Sequence, residues 1–372
     1  MIYMDNSATT RIHPEVLDAM LPYLQEEYGN PSGKYYSLAS NAKFAVDNAR
    51  QHIANLLDCQ TDEVIFTSGA TESNNMIIKG AIDQFGQSGS TIVTSSVEHP
   101  SVLETCNYLE GKGAKITKLT VDAYGRVKLD DVRQAIALKP TLLSLIWGNN
   151  EVGSLNAITE IAELCHEHGV LFHTDATQVV GKIQFTLRSL RGIRFLSLSG
   201  HKFHGPKGIG VAYIKKQTNE LYTRLTPLLH GGGQENNYRS GSLAVHNIVG
   251  IGKAAEIALK EQKLNELYLQ QLELELTDLL VQKFGEKIKF NNDRENKIPG
   301  LMSIQFIGLN NELLIKKIAP YLAVSSGSAC SSSKPSHVLD AMGLTLAEIR
   351  QTIRISLSSL NLSEDLAFFK NL

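Results

Sequence analysis

The run Ser197-Leu198-Ser199-Gly200-His201-Lys202 sets one lysine at the end of an apolar strand, beside hydroxyls and a histidine, with Gly205, Gly208 and Gly210 behind it. A lysine held inside a protein costs several kcal/mol if it stays charged and unpaired. A chain that keeps one there uses its amine, and a Schiff base with pyridoxal phosphate is the chemistry this setting favours. A second segment, Ser325-Ser326-Gly327-Ser328-Ala329-Cys330-Ser331-Ser332-Ser333, carries a cysteine among residues of little packing bulk. The two segments together point to an enzyme that combines a cofactor with a reactive thiol.

Singly, these residues have plainer readings. Lys202 reads as a surface lysine beside a glycine turn, Asp175 as an N-cap aspartate, and His99 as a satisfied loop histidine. Arg354 reads as a solvent-facing strand arginine and Cys330 as a small cysteine in a turn. Their placement carries more. Polar residues recur just after apolar, strand-like runs: Val64-Ile65-Phe66 leads into Thr67-Ser68-Gly69-Ala70-Thr71, and Thr91–Ser95 is followed by His99. The run 142–147 ends at Asn149-Asn150-Glu151, and 170–174 ends at Asp175. Ligands of open α/β sheets bind beyond the carboxyl ends of the strands. Thr71, His99, Asn150, Asp175 and Lys202 are therefore expected to share one cleft.

The elements that must position them follow from periodicity. Helical stretches fall between the strand-like runs, up to Phe85, from His99-Pro100 onward, and over 155–168 with Gly169 closing. This alternation predicts an α/β layer structure with helices on both faces of a mainly parallel sheet. Residues 254–284, rich in Leu, Glu and Gln, predict a long helix linking two lobes rather than a coiled coil. Residues 288–372 read as a smaller α+β lobe with strands near Leu301–Phe306 and 352–357, which the N-terminal residues join. The expected division is 14–257 for the large lobe, and 1–13 with 258–372 for the small lobe that carries the cysteine loop.

Bulk properties narrow the class. The chain has 372 residues, 42% hydrophobic, 20% charged, with a formal net charge of -2. These are globular values with room for two lobes, and they speak against disorder. No Lys/Arg tract is present, so no direct nucleic-acid contact is expected. Met1-Ile2-Tyr3-Met4-Asp5 lacks the features of a secretory leader, and no run of about 20 apolar residues would span a membrane. Cys59, Cys106, Cys165 and Cys330 are scattered without a CxxC pair. That spacing argues against a structural zinc site or an iron–sulfur cluster, so no metal is expected, and it fits a reducing cytoplasm.

In this order the motifs resemble those of the pyridoxal-phosphate-dependent cysteine desulfurases, the NifS/IscS-like branch of the class V aminotransferase family. They are Tyr3-Met4-Asp5-Asn6-Ser7-Ala8-Thr9-Thr10, Thr67 through Asn75, Glu98-His99, Asn149-Asn150-Glu151-Val152-Gly153, Asp175-Ala176-Thr177-Gln178, Ser199-Gly200-His201-Lys202 and Arg239-Ser240-Gly241-Ser242. With Arg354 they span nearly the whole chain. The resemblance implies a fold-type I transferase, with a mainly parallel large-domain sheet and a smaller α+β domain. It makes Lys202 the Schiff-base lysine and proton carrier, Asp175 the partner of the pyridine nitrogen, and Gln178 a donor to the phenolic oxygen. His99 would stack on the ring and shuttle protons. Ala70, Thr71, Ser199 and His201 would hold the phosphate, with Ser242 reaching it from the other subunit of a homodimer. Arg354 would bind the substrate carboxylate with help from Asn150, and Asn30 would lie on a substrate-side loop.

Cys330 would take sulfur from L-cysteine as a persulfide, release L-alanine, and pass the sulfur to an iron–sulfur scaffold or a tRNA-thiolation protein. The chain departs from the family in two places. Gly33-Lys34-Tyr35-Tyr36 lacks the usual second serine and nearby histidine, and only four residues separate Cys330 from Pro335. Selenocysteine lyase or another pyridoxal-phosphate enzyme of amino acids is the alternative activity. A non-enzymatic sulfur-transfer scaffold is opposed by the intact Lys202, Asp175, His99 and Arg354.

Overall fold

The computed structural model describes residues 1–86, 89–217, 221–327 and 335–370. Twelve strands run in chain order: β1 (Ile2–Tyr3), β2 (Val64–Thr67), β3 (Thr91–Ser95), β4 (Lys115–Leu119), β5 (Leu142–Ile146), β6 (Leu171–Asp175), β7 (Ile193–Ser199), β8 (Gly210–Ile214), β9 (Ile288–Phe290), β10 (Leu301–Phe306), β11 (Leu322–Ala323) and β12 (Thr352–Ser356). The helices used below are α1 (Pro14–Gln25), α2 (Ser37–Leu57), α3 (Ala70–Phe85), α4 (Pro100–Glu110), α5 (Leu129–Ala137), α6 (Ile158–His168) and α7 (Val245–Phe284).

Seven strands form the large sheet, in the order β2-β8-β7-β6-β5-β3-β4. Side chains alternate between its faces, as period-two geometry requires. Val64, Phe66, Leu143, Leu145, Leu196 and Leu198 pack with α2, α6 and the first half of α7. Ile65, Leu142, Phe195 and Ala212 pack with α3 and α4 on the opposite face. The central strands are buried on both faces, which is why they read as unbroken apolar runs.

One strand breaks the parallel pattern: β8 is antiparallel to both β2 and β7. The glycine-rich link after Lys202 is too short for a helical crossover, so the chain turns straight back beside the strand it has just left. Gly210 is needed there. A Cβ on it would lie 2.6 Å from the Cα of Gly69, where the turn between β2 and α3 crosses close by. Lys202 therefore sits in a single turn of helix, residues Gly200–Lys202, at the carboxyl end of β7.

The 40-residue α7 joins the two lobes. Ile248, Ile251 and Ala255 belong to the large-sheet core, while Leu269, Leu272, Leu276 and Leu280 pack with Met302, Ile304, Ile353 and Ile355 of the small sheet. That sheet has the order β12-β10-β9 and is antiparallel. The leucine stripe of α7 is thus the lining of this lobe's core. The N-terminal residues cross to it: β1 pairs in parallel with β11, and Asn6 and Ser7 bond to Ser356. Among the described residues no helix is long and apolar enough to cross a membrane.

Candidate active site

The carboxyl ends of β2, β3, β5, β6 and β7 converge on one cavity of about 460 Å³, which β12 and the N-terminal segment complete. Of the residues expected from sequence, Ala70, Thr71, His99, Asn150, Asp175, Gln178, Ser199, His201, Lys202 and Arg354 line it. Asn30 and Ser242 do not. Asn30 is exposed, and its side chain accepts from the Ser32 amide. Ser242 is exposed, three residues after Arg239, whose ion pair at 2.8 Å ties it to Glu72 of the cavity lining. Cys330 lies outside the described residues.

Lys202 donates to the main-chain oxygens of Ser7 (2.6 Å) and Ala8 (2.8 Å), so the N-terminal segment forms a floor that holds the amine. Asp175 is buried at the end of β6. Its Oδ1 accepts from the Thr177 amide (3.0 Å) and its Oδ2 from Asn74 Nδ2 (2.8 Å). Asn74 also donates to Ser101 Oγ (2.9 Å), and Ser101 bonds His99 Nδ1 (2.8 Å). One network thus fixes both the carboxylate and the imidazole.

His99 caps α4, with its Nδ1 accepting from the Ser101 amide at 3.1 Å. The neutral ring's proton therefore resides on Nε2. Burial pushes its pKa below the usual histidine range, against the pull of Asp175 and with the push of Lys202 and His337. Burial likewise pushes His201 down to about 4, reinforced by Lys202, Lys207 and Lys182. Behind His99, burial pushes the Glu98 carboxyl up to about 8 despite hydrogen bonds from Ser95 Oγ and the Ile146 amide.

Arg354 is buried at the opposite wall. Its Nη1 donates to the main-chain oxygens of Asn150 (2.8 Å) and Gly327 (3.0 Å), and its Nη2 to Asp5 Oδ1 (2.7 Å). Glu151, with its pKa raised mainly by burial, accepts from Ser336 Oγ at 2.5 Å. Glu151, Asn74, Ser101 and His337 received no role from the sequence. The first two lie in recognised motifs, but only the fold brings Glu151 to the cavity wall and Asn74 behind Asp175. The amide of Asn74, set among the residues of α3 that precede its apolar run Met76–Ile78, was the available signal.

The donor set fits pyridoxal phosphate. An amine, a buried carboxylate and the N-terminus of the 16-residue α3, entered through Gly69 at φ 152, all face one space. Ser199 Oγ accepts from the Ala70 amide (2.7 Å), which leaves its own proton to donate. Thr9 Oγ1, Thr177 Oγ1 and Arg354 Nε are buried without a partner among the described residues, and all three belong to cavity-lining residues. Such atoms in a polar cavity call for a polar guest.

The burial of imidazoles has a consequence for stability. His173, fully buried between Ser144 Oγ (2.8 Å) and Ser197 Oγ (3.0 Å), is pushed by burial to about 4, as is His201. Their ordinary value is 6.5, so the unfolded chain binds more protons than the native one below it. The stability they contribute is full above pH 6.5 and is lost as pH falls towards 4. Glu98 acts in the opposite sense: its contribution is present below 4.5 and is lost as pH rises through about 8. The thermal midpoint is therefore expected to fall between pH 6.5 and 4, and Glu98→Gln to steepen the fall above 4.5. Melting curves across that range check both; a flat profile contradicts the assignment.

The Aminotransferase class-V family profile matches residues 2–369. The chain is 42% identical to the cysteine desulfurase IscS of Methanosarcina thermophila, over 98% of this chain and 89% of that protein. A solved NifS-like protein superposes with a TM-score of 0.91 at 35% identity, covering 100% of this chain and 97% of that one. A structure described as SspA in complex with cysteine gives a TM-score of 0.85 at 35% identity, covering 97% of this chain and 100% of that one.

Proposed function

The chain belongs to the class-V aminotransferase family, in its cysteine desulfurase branch, and on that premise we propose that it uses pyridoxal phosphate to convert L-cysteine to L-alanine, leaving a persulfide on Cys330. One observation carries the reading: Lys202, Asp175 and Arg354 meet in a single cavity with a helix N-terminus and an imidazole. Thr71, Ser199 and His201 supply the phosphate donors, with the Ala70 amide seating the Ser199 hydroxyl, Asp175 the partner of the ring nitrogen, and Gln178 a donor to the phenolic oxygen. When bound, the cofactor supplies a carbonyl for amines and a ring that accepts the electron pair released at the substrate Cα.

The chain's own groups do the rest. Arg354 and Asn150 fix the substrate carboxylate, and Lys202, once its amine is released, takes and returns the Cα proton. His99, with its ring proton on Nε2, would lie against the cofactor, and as a neutral imidazole it can pass a proton on. Cys330 attacks the substrate sulfur as a thiolate. The S–S bond forms as the C–S bond breaks, the electron pair stays on the substrate carbon, and protonation there yields alanine.

The exposed Ser242, outside its own chain's cavity, supports a homodimer in which each copy completes the other's phosphate site. Leu17, Leu21 and Leu24 of α1, exposed on one helix face, give such a dimer an apolar surface. The persulfide passes to an acceptor protein, an iron–sulfur scaffold or a tRNA-thiolation protein, in the cytoplasm.

The direct test is product analysis of the cofactor-loaded protein with L-cysteine and a thiol reductant. Alanine and sulfide in equal amounts support the reading. Selenide formed from selenocysteine, with no sulfide from cysteine, turns it to selenocysteine lyase. A second expectation concerns Arg354. An ammonium cannot pair with a carboxylate bidentately. Losing one charge-assisted hydrogen bond is worth about 1.5–3 kcal/mol, so Arg354→Lys should lower kcat/KM for L-cysteine by roughly 10- to 100-fold. Most of the loss should appear in KM, with the absorbance of the bound cofactor unchanged; steady-state kinetics checks this.

A further inference from the structure

A smaller cavity of about 150 Å³ lies on the far side of Lys202, lined by Lys182, His204 and Asn265. Lys182 stands four residues after Gln178, in the turns that follow β6, and donates Nζ to Gln178 Oε1 at 2.8 Å. Gln178 in turn donates Nε2 to the Ser7 main-chain oxygen at 2.9 Å, the same oxygen that accepts from Lys202 at 2.6 Å. The amide is therefore oriented from both ends. An ammonium offers no acceptor, so it selects the amide oxygen; a main-chain carbonyl offers no donor, so it selects the nitrogen. The second Nε2–H has no acceptor among the described residues, and Gln178 lines the larger cavity.

We propose that Lys182 is a positioning residue, which holds the Gln178 amide so that its free N–H edge serves the phenolic oxygen of the cofactor. The proposal rests on the reading that the larger cavity binds pyridoxal phosphate. It assigns a task to a basic side chain that does not reach the reacting atoms. Burial and the charges of Lys202 and Arg354 push the Lys182 amine down to about 7; in either protonation state it has an N–H to donate, and the Ser7 carbonyl, which can only accept, keeps the amide nitrogen on its own side and leaves Oε1 to Lys182. Without it, the amide is held at one end only, and water or a turned Oε1 can face the phenolic oxygen. A donor beside that oxygen favours its anion, and so lowers the pH at which the lysine-linked cofactor gives up its proton.

The experiment is an absorbance titration of the cofactor-loaded protein, which needs no turnover. Lys182→Met is expected to raise the midpoint of the visible band by about one pH unit, the equivalent of one modest hydrogen bond. Gln178→Leu should raise it similarly, and adding Lys182→Met to Gln178→Leu should move it no further. An unchanged midpoint in Lys182→Met overturns the proposal. So does a Lys182→Met shift that persists in full without Gln178, since Lys182 would then act as a bare charge. If Lys182→Met fails to fold, Lys182→Ala is judged by the same outcomes. A wild-type protein that takes up no cofactor and shows no visible band would instead sink the functional reading itself.

Discussion

Lys202→Ala is expected to leave a folded protein that makes no measurable alanine from L-cysteine. Two roles end with one amine: covalent attachment of the cofactor and movement of the Cα proton. Proton transfer by a positioned group is itself worth about 10²–10⁴-fold, so the combined loss should exceed 100-fold. The fold should survive, because the amine's partners are two main-chain oxygens, Ser7 and Ala8, in a segment also held by Ser356 and His201. The readout is twofold. The visible band of the lysine-linked cofactor should vanish, and a small primary amine added at high concentration should restore part of the turnover. Retained activity in the variant would move the chemistry to another amine.

Cys330→Ala should abolish persulfide formation while leaving the cofactor band intact. The argument comes from the other thiols. Burial pushes Cys106 and Cys165 to about 12, and Cys59 further still, helped by Glu63, Asp58 and Asp62. At pH 8 a thiol of pKa 12 is ionised in about one molecule in 10⁴, and the thiolate is the nucleophile. None of the three can stand in. Gly327 and Ser336 are tied to the cavity wall, through Arg354 and Glu151 respectively. Intact-mass measurement after one turnover should show a gain of one sulfur atom in the wild type and none in the variant. A gain in Cys330→Ala would reassign the acceptor thiol.

How much of this was legible in the sequence depended on range. Strand ends followed by polar residues named five lining positions, Thr71, His99, Asn150, Asp175 and Lys202, because in a parallel sheet every strand delivers its carboxyl end to the same side; the family resemblance named the other five, Ala70, Gln178, Ser199, His201 and Arg354. The antiparallel β8 was not anticipated, since its direction is set by the shortness of the Gly205–Gly210 link rather than by its own apolar run. Asn74 and Ser101 escaped because a buried amide and a hydroxyl on two helices look ordinary until the helices pack together. Lys182 escaped for the opposite reason: its spacing from Gln178 is local, but its meaning comes from Ser7, which approaches from the other end of the chain.

That approach sets a schedule for biosynthesis. The floor beneath Lys202 is laid by residues 7 and 8, yet it is pinned by Ser356, whose oxygen accepts from Asn6 across 350 positions of sequence. At about 5–20 residues per second, a ribosome needs roughly 20–70 s to travel that distance. The large sheet can assemble during that interval, and His201 and Gln178 can already hold Thr10 and Ser7, but the small-lobe anchor of the floor is missing until the final strand of that lobe has emerged. Cofactor capture in its productive form is thereby deferred until after nearly all of the chain has been translated.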